Sequence, residues 1–278
     1  MTQVTRFAPS PTGPLHLGHA YSALIAFQRA GAGQFLLRIE DIDRARCRPE
    51  WEAQIFDDLH WLGLRWPTPV MRQSDRMAAY RAALARLASQ GLIYPCRCTR
   101  ADIRAVLSAP QEGATHGPDG PIYPGTCRAR PMAEARPEDA LRLNLRAALR
   151  RTGALNFTEN GPLHQGAHRI DSDRMIAQVG DVVLARRDMG TSYHLAVVVD
   201  DAGQGVTEVT RGVDLFEATQ IHVLLQALLE LPRLRYWHHD LIRDDQGKRL
   251  AKRDDARAIA RYRAEGASPE DIRAMVGL

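Results

Sequence analysis

Lysine is almost absent from this chain. Of its 37 Lys and Arg side chains, all but Lys248 and Lys252 are arginine. Gene base composition accounts for an arginine excess, but it does not account for both lysines falling within five residues. No apolar run approaches the ~20 residues of a membrane span, so no membrane partner is expected. The N-terminus, MTQVTRFAPSP, has no basic stretch followed by an apolar one. That argues against a secretory signal and makes the cytoplasm the expected location. Only four cysteines occur, Cys47, Cys96, Cys98 and Cys127. A disulfide framework is not expected in such a compartment, and the grouping of three of them points to a metal site. No GxxxxGK[ST] phosphate loop is present. Gly31 and Gly33 fail as a dinucleotide fingerprint because Leu36 stands where the third glycine belongs.

What remains is an ordinary globular composition, 45% hydrophobic and 25% charged over 278 residues. That length has a prior of about two domains. The net charge of +4 permits a polyanionic partner without requiring one. Residues 3–8 read as a strand, the run from Gly18 to Ala30 as a helix, and 34–40 as a second strand. Strand, loop, helix, strand opens an α/β fold with a parallel sheet. Two further helices are expected, one from Pro49 and one from Ser74, a plausible N-cap, to Gly91. Met77, Tyr80, Leu84 and Leu87 follow helical spacing on the latter and read as core. The stretch 108–125 is rich in glycine and proline and therefore irregular. Seven arginines and three acids follow in 128–151. These arginines fit either a phosphate-binding face or a solvated surface. The organisation expected is 1–94, an inserted subdomain over 95–185, and 186–278 with a short helical tail.

The first chemical signal is His16-Leu17-Gly18-His19, placed where the first strand gives way to a helix. Free N–H groups and the positive dipole end there suit a phosphate. Gly18 permits close backbone approach. Two imidazoles three residues apart can bond a triphosphate and stabilise charge that builds at its α-phosphate. A metal site or two surface histidines remain alternatives at this level. Cys96-x-Cys98 and Cys127 offer three thiolates where zinc takes four ligands. Tyr123 and His116 compete for the remaining place, and zinc chemistry alone favours the histidine.

RFAPSPTGPLHLGHA (6–20) resembles the signature of class I aminoacyl-tRNA synthetases, and in detail their glutamyl branch. GKRLAKRD (247–254) looks like the mobile lysine loop of that class, with Arg249 in place of the first lysine and Ala251 in place of the serine. LRIEDIDRAR, TSYHLAVVVDD and TEVTRGVDLF are similar to the same branch. The resemblance runs from Arg6 to Arg253 and implies an α/β, Rossmann-like catalytic domain with a parallel sheet, interrupted by a zinc-containing subdomain. It implies ATP contacts at His16, Gly18, His19, Lys248, Arg249 and Lys252, with His16, His19 and Lys252 catalytic. It implies a glutamate site of Arg6, Phe7, Ala8, Pro9, Ser10, Glu40, Tyr193 and Arg211. Glu40 would hold the amino group and Arg6 the side-chain carboxylate. YPGTC (123–127) is similar to the Tyr-x3-Cys pair of truncated glutamyl synthetase relatives. That favours Tyr123 over His116 beside Cys96, Cys98 and Cys127, with one structural zinc ion.

Full glutamyl synthetases continue into a long helical region that reads the anticodon, and here only a short tail follows the lysine loop. The resemblance is therefore to the truncated branch. It implies ATP- and Mg²⁺-dependent activation of L-glutamate without tRNA, then transfer to queuosine at the wobble position of the tRNA(Asp) anticodon stem-loop. A monomer is expected. Three other readings compete: a catalytic fragment charging the 3′ end of tRNA(Glu), a nucleotidyl transferase with no RNA partner, and an RNA-binding module without catalysis. Lys252→Ala is expected to cut glutamate-dependent ATP–pyrophosphate exchange sharply while leaving the thermal unfolding midpoint unchanged; an unaltered rate removes Lys252 from the reaction.

Overall fold

The computed structural model describes residues 2–107, 116–118, 120–243, 250 and 257–278, the side chains of 104, 107 and 116 aside. β1 (Val4–Phe7), α1 (Leu17–Ala30) and β2 (Gln34–Ile39) form a parallel crossover, with Arg6 opposite Leu36 in the ladder. α1 buries Ala20, Ala23, Leu24 and Ala26 against these strands. Small side chains let the helix lie close to the sheet. α2 (Pro49–Trp61) leads to β3 (Met71–Arg72), which extends the sheet in parallel beside β2. α3 (Met77–Ser89) buries Tyr80, Leu84 and Leu87, and Met77 packs on them. Ser74 is not its cap. A 3₁₀ turn over Gln73–Arg76 precedes the helix, and the Ser74 N–H donates to Asp41 Oδ1 at 2.8 Å. That bond ties the turn to the loop after β2 instead.

The middle of the chain adds β4 (Ile93–Cys96), α4 (Arg100–Leu107), the short pair β5 (His116–Gly117) and β6 (Gly120–Pro121), β7 (Ala140–Leu143), α5 (Leu145–Thr152), β8 (Asn156–Glu159), β9 (Gly166–Arg169), α6 (Ser172–Gln178) and β10 (Val183–Ala185). β4, β7 and β10 make an antiparallel sheet with β7 central. β8 does not join it. It runs parallel to β12 (Arg235–His239) and carries β9 antiparallel at the edge. The chain then forms α7 (Tyr193–Gly203), β11 (Glu208–Gly212), α8 (Thr219–Leu228) and β12, a second parallel crossover. β11 is buried along Glu208–Arg211, and α8 buries Ile221, Leu224, Leu225 and Leu228 in the same core as Val209 of β11.

The two crossovers are joined along β1 and β11. The Thr207 N–H donates to the Val4 carbonyl at 2.9 Å, and the Val4 N–H donates to Thr207 Oγ1 at 2.9 Å. Arg29 of α1 adds an ion pair with Glu208 at 2.8 Å. After residue 257, α9 (Ile259–Ala264) and α10 (Pro269–Met275) return to the first crossover. Ile259, Ile272 and Val276 enter the core formed by Leu24, Ile55 and Leu59. Each fully buried isoleucine contributes roughly 2 kcal/mol over exposure. No described helix is long and apolar enough to cross a membrane.

Asp58 on α2 is 1% exposed, and neither of its carboxylate oxygens has a hydrogen-bond partner among the described residues. Burial, with the Asp57 charge beside it, pushes its pKa up to about 7. A carboxyl whose folded pKa is raised costs stability as pH rises from its unfolded value of 3.8 towards that point. Asp58→Asn is therefore expected to raise the unfolding midpoint by an increment that grows between pH 4 and pH 7 and then levels off; an increment independent of pH contradicts the placement.

Candidate active site and cysteine cluster

A cleft of about 430 Å³ opens where the C-terminal ends of β1, β11 and β12 face the start of α1. His16 is the N-cap of α1. Its Nδ1 accepts from the Gly18 N–H at 3.1 Å, and its own N–H donates to His19 Nδ1 at 3.2 Å. With both Nδ1 atoms accepting, the neutral rings carry their protons on Nε2. Each can then offer a donor from a helix start that is already electropositive. The ring centroids lie 3.8 Å apart, and both rings line the cleft. A Cβ on Gly18 would sit 3.0 Å from His16 Cε1 and press on the capping ring, which would have to shift by a few tenths of an ångström.

Arg6, Phe7, Ala8, Glu40, Tyr193 and Arg211 line the same cleft. Pro9 and Ser10 do not. They shape it through the backbone: the Pro9 carbonyl accepts the Glu40 N–H at 3.0 Å, and the Ser10 carbonyl accepts the Thr12 N–H at 2.9 Å. Arg6 is held by Asp201 of α7, with Nε donating to Oδ1 at 3.0 Å and Nη2 to Oδ2 at 3.2 Å. Its Nη1 donates to the Thr210 carbonyl at 3.2 Å. Arg38 of β2 donates to the same Asp201 carboxylate at 2.6 Å and to Glu40 Oε1 at 3.1 Å. Burial opposes the Asp201 charge, and the two arginines outweigh it, so its pKa is lowered. At Glu40 burial wins over Arg38 and Arg6, and the pKa is raised. Such a carboxylate gains from a cationic partner in the cleft.

Lys248, Arg249 and Lys252 lie outside the described residues. Leu250 between them lines the cleft, with its N–H on the Ile242 carbonyl at 3.1 Å. Just downstream, Ala258 bridges to His16 and the Ile259 N–H donates to the Leu15 carbonyl at 2.8 Å. The described chain on either side of the lysine motif thus returns to the histidine pair. Sequence reasoning missed Asp201, which no motif marked as a partner of Arg6. It also missed Ser22, Thr210, Asp214, His239 and Asp240 in the cleft wall. The His-His-Asp run at 238–240 was the available signal for two of them.

The thiols of Cys96, Cys98 and Cys127 lie within 4.8 Å of one another. The Tyr123 hydroxyl stands among them, 3.4 Å from Cys96 Sγ and 3.3 Å from Cys98 Sγ, and accepts the Cys127 N–H at 2.9 Å. His116 contributes backbone to β5, and its side chain is outside the described residues. Burial opposes ionisation of Cys127, and hydrogen bonds from Tyr123, the Arg97 backbone, Cys98 and Cys96 overcome it, bringing its pKa to about 7. Arg142 stacks 3.9 Å from the centre of the Tyr123 ring and donates from Nε to Cys96 Sγ at 3.3 Å. Three soft sulfur donors and a phenol oxygen make a donor set that fits a metal ion, with Arg142 hydrogen-bonded to one of the sulfurs.

The class I tRNA synthetase (E and Q) catalytic-domain family model matches residues 3–278, and the chain belongs to that family of ligases. Within it, the chain is 64% identical to the Glutamyl-Q tRNA(Asp) synthetase of Rhodobacter capsulatus, over 99% of this chain and 100% of that one. It is 45% identical to the Glutamyl-Q tRNA(Asp) synthetase of Symbiobacterium thermophilum, over 96% of this chain and 83% of that one. Among solved structures, the glutamate tRNA ligase of Elizabethkingia meningosepticum in complex with its amino acid matches with a TM-score of 0.78 at 26% identity. All of this chain aligns there but only 61% of that one, so the chain spans about three fifths of the ligase. Cys98→Ser is expected to lower the bound metal from about one ion per chain to a small fraction of that, as measured by elemental analysis; full retention means the donor set is different.

Proposed function

We propose that this enzyme activates L-glutamate with ATP, without needing tRNA, and transfers it to queuosine at the wobble position of tRNA(Asp). One juxtaposition carries the reading: the histidine pair at the start of α1 shares a cleft with Arg6, Arg211, Tyr193 and Glu40. The names of its full-length relatives support the nucleic-acid partner. Arg6 and Arg211 receive carboxylate, for which a guanidinium offers paired donors. Glu40 holds the ammonium group. The glutamate α-carboxylate oxygen attacks the α-phosphorus of ATP in line, a P–O bond forms, and the bond to pyrophosphate breaks. Nε2–H of His16 and His19, the α1 N-terminus and Lys252 stabilise the charge on the transferring group, with Gly18, Lys248 and Arg249 on the same phosphates. Mg²⁺ accompanies ATP. A hydroxyl of the queuosine cyclopentenediol then attacks the glutamyl carbonyl, and AMP leaves.

Zinc held by Cys96, Cys98, Cys127 and Tyr123 would pin α4, β4 and the loop before β7, a structural task. Not all the arginines of 128–151 are available to RNA. Arg128 pairs with Asp181 at 2.7 Å, Arg130 pairs with Asp139 at 3.5 Å, and Arg142 serves the cysteine cluster. Arg146, Arg150 and Arg151 on α5 are exposed, and Arg146 and Arg150 share one surface with Arg169 of β9, the basic face we assign to the RNA backbone.

The test is glutamate-dependent ATP–pyrophosphate exchange without tRNA, followed by transfer of labelled glutamate to tRNA(Asp) with and without queuosine. Exchange without tRNA and labelling confined to the queuosine-containing RNA are the expected results. Label on the terminal adenosine of tRNA(Glu) would instead make this a catalytic fragment of an ordinary glutamyl synthetase.

A further inference from the structure

Arg211 sits at the end of β11, and its guanidinium is enclosed by acceptors. Nε donates to His238 Nε2 at 3.0 Å, Nη1 to His222 Nδ1 at 2.9 Å, and Nη2 to Thr219 Oγ1 at 2.8 Å. His238 is its ladder partner on β12, and Thr219 and His222 come from the first turn of α8. All four side chains are buried. A guanidinium has five N–H donors and no acceptor. These three bonds therefore leave one N–H on each terminal nitrogen, and Arg211 lines the cleft.

The donors constrain the histidines. His238 Nε2 can accept from Arg211 only when unprotonated, so its proton stands on Nδ1, which lies 2.5 Å from Glu159 Oε2. Glu159, on β8 beside β12, is itself fixed: its Oε1 accepts the Gly161 N–H at 2.7 Å and the His238 N–H at 2.9 Å. On the other side, His222 accepts at Nδ1, so its Nε2–H donates to His194 Nδ1 at 3.0 Å. Three histidines are thus held neutral in one tautomer each around a buried cation, and one carboxylate at the far end of the chain of bonds sets that of His238.

We propose that Glu159 and His238 are positioning residues for substrate recognition, together with Thr219 and His222. They orient the Arg211 guanidinium so that its two remaining N–H groups meet a substrate carboxylate. The inference rests on the reading that Arg211 receives that carboxylate. The Glu159→Gln variant isolates it. Its amide oxygen must stay on the two backbone N–H groups now served by Oε1, which turns the amide NH₂ towards His238 Nδ1. The ring proton then moves to Nε2 and faces Arg211 Nε–H, donor against donor. Volume and burial are unchanged.

Two measurements decide the proposal. Histidine ¹⁵N spectra of the unmodified protein at pH 8 should show His238 protonated on Nδ1 alone, and E159Q should show the proton on Nε2. In exchange kinetics, E159Q should raise the KM for glutamate roughly tenfold or more, the loss of one charge-assisted hydrogen bond, with the KM for ATP little changed, while the buried donor pair lowers the unfolding midpoint. Thr219→Val, which keeps the shape and removes one acceptor, should show the same split and serves if E159Q does not fold. A wild-type His238 protonated on Nε2 overturns the proposal, and so does an unchanged glutamate KM or an equal effect on both substrates. Absence of any glutamate-dependent exchange in the unmodified enzyme would count against the proposed function, while the tautomer would still decide the clamp.

Discussion

The Asp201 carboxylate is the point at which the two halves of this molecule are held to each other. It lies on α7 in the second half of the chain and binds Arg6 of β1 and Arg38 of β2 from the first. Arg38 is 0% exposed and Arg6 4%. Removing one partner of a buried ion pair typically costs about 3–5 kcal/mol, because the charge left behind is desolvated and uncompensated. The arrangement brings two cations and one anion under the sheet, and Glu40 supplies the second anion. The cluster is close to balanced, and it holds Arg6 in place at the cleft.

The cleft is built on constraint of this kind throughout. His16 and His19 are fixed by backbone N–H groups, Arg6 by a carboxylate, and Arg211 by two imidazoles and a hydroxyl. Each of these four groups is already bonded on its inner side. Preorganised donors need no reordering when charge develops, which is how a water-shielded site lowers a barrier. The surroundings of Arg211 use neutral histidines rather than acids as acceptors. Burial and the Arg211 charge both hold the His222 pKa well below its ordinary value. A guanidinium bonded to imidazole keeps its full positive charge uncompensated, ready for an anionic ligand, whereas Arg6 on Asp201 is partly neutralised. The two arginines of the cleft are therefore not equivalent.

The cysteine cluster has a similar logic. Arg142 is drawn in by sulfur and by the face of Tyr123, and Arg128 by Asp181. They pin the middle of the chain, and the arginines of α5 are left to face solvent. One stretch of sequence rich in a single residue type thus divides into an inner set and an outer set. The division follows the geometry of β4, β7 and the loop carrying Tyr123.

Local chemistry was legible in the residues. The parallel crossover, the histidine pair and the Cys-x-Cys depend on neighbours a few positions apart, which spacing exposes, whereas Tyr123 was favoured over His116 only by the family resemblance. Even there the Ser74 cap was misplaced: a 3₁₀ turn separates Ser74 from the helix, and the Ser74 N–H is held by Asp41 from 33 positions away. Glu159, Asp201, His222 and His238 were not marked as partners of the arginines, since a buried acid or imidazole looks like any polar residue until its partner is known. Their partners lie 195 positions away for Asp201 and Arg6, and 79 for Glu159 and His238. What the sequence by itself determined was the local motifs and most of the elements that carry them. How the arginines of the cleft are held, and in which tautomer their supporting imidazoles stand, only the tertiary structure decided, because hydrogen-bond donors and desolvation come from elements that meet solely on folding.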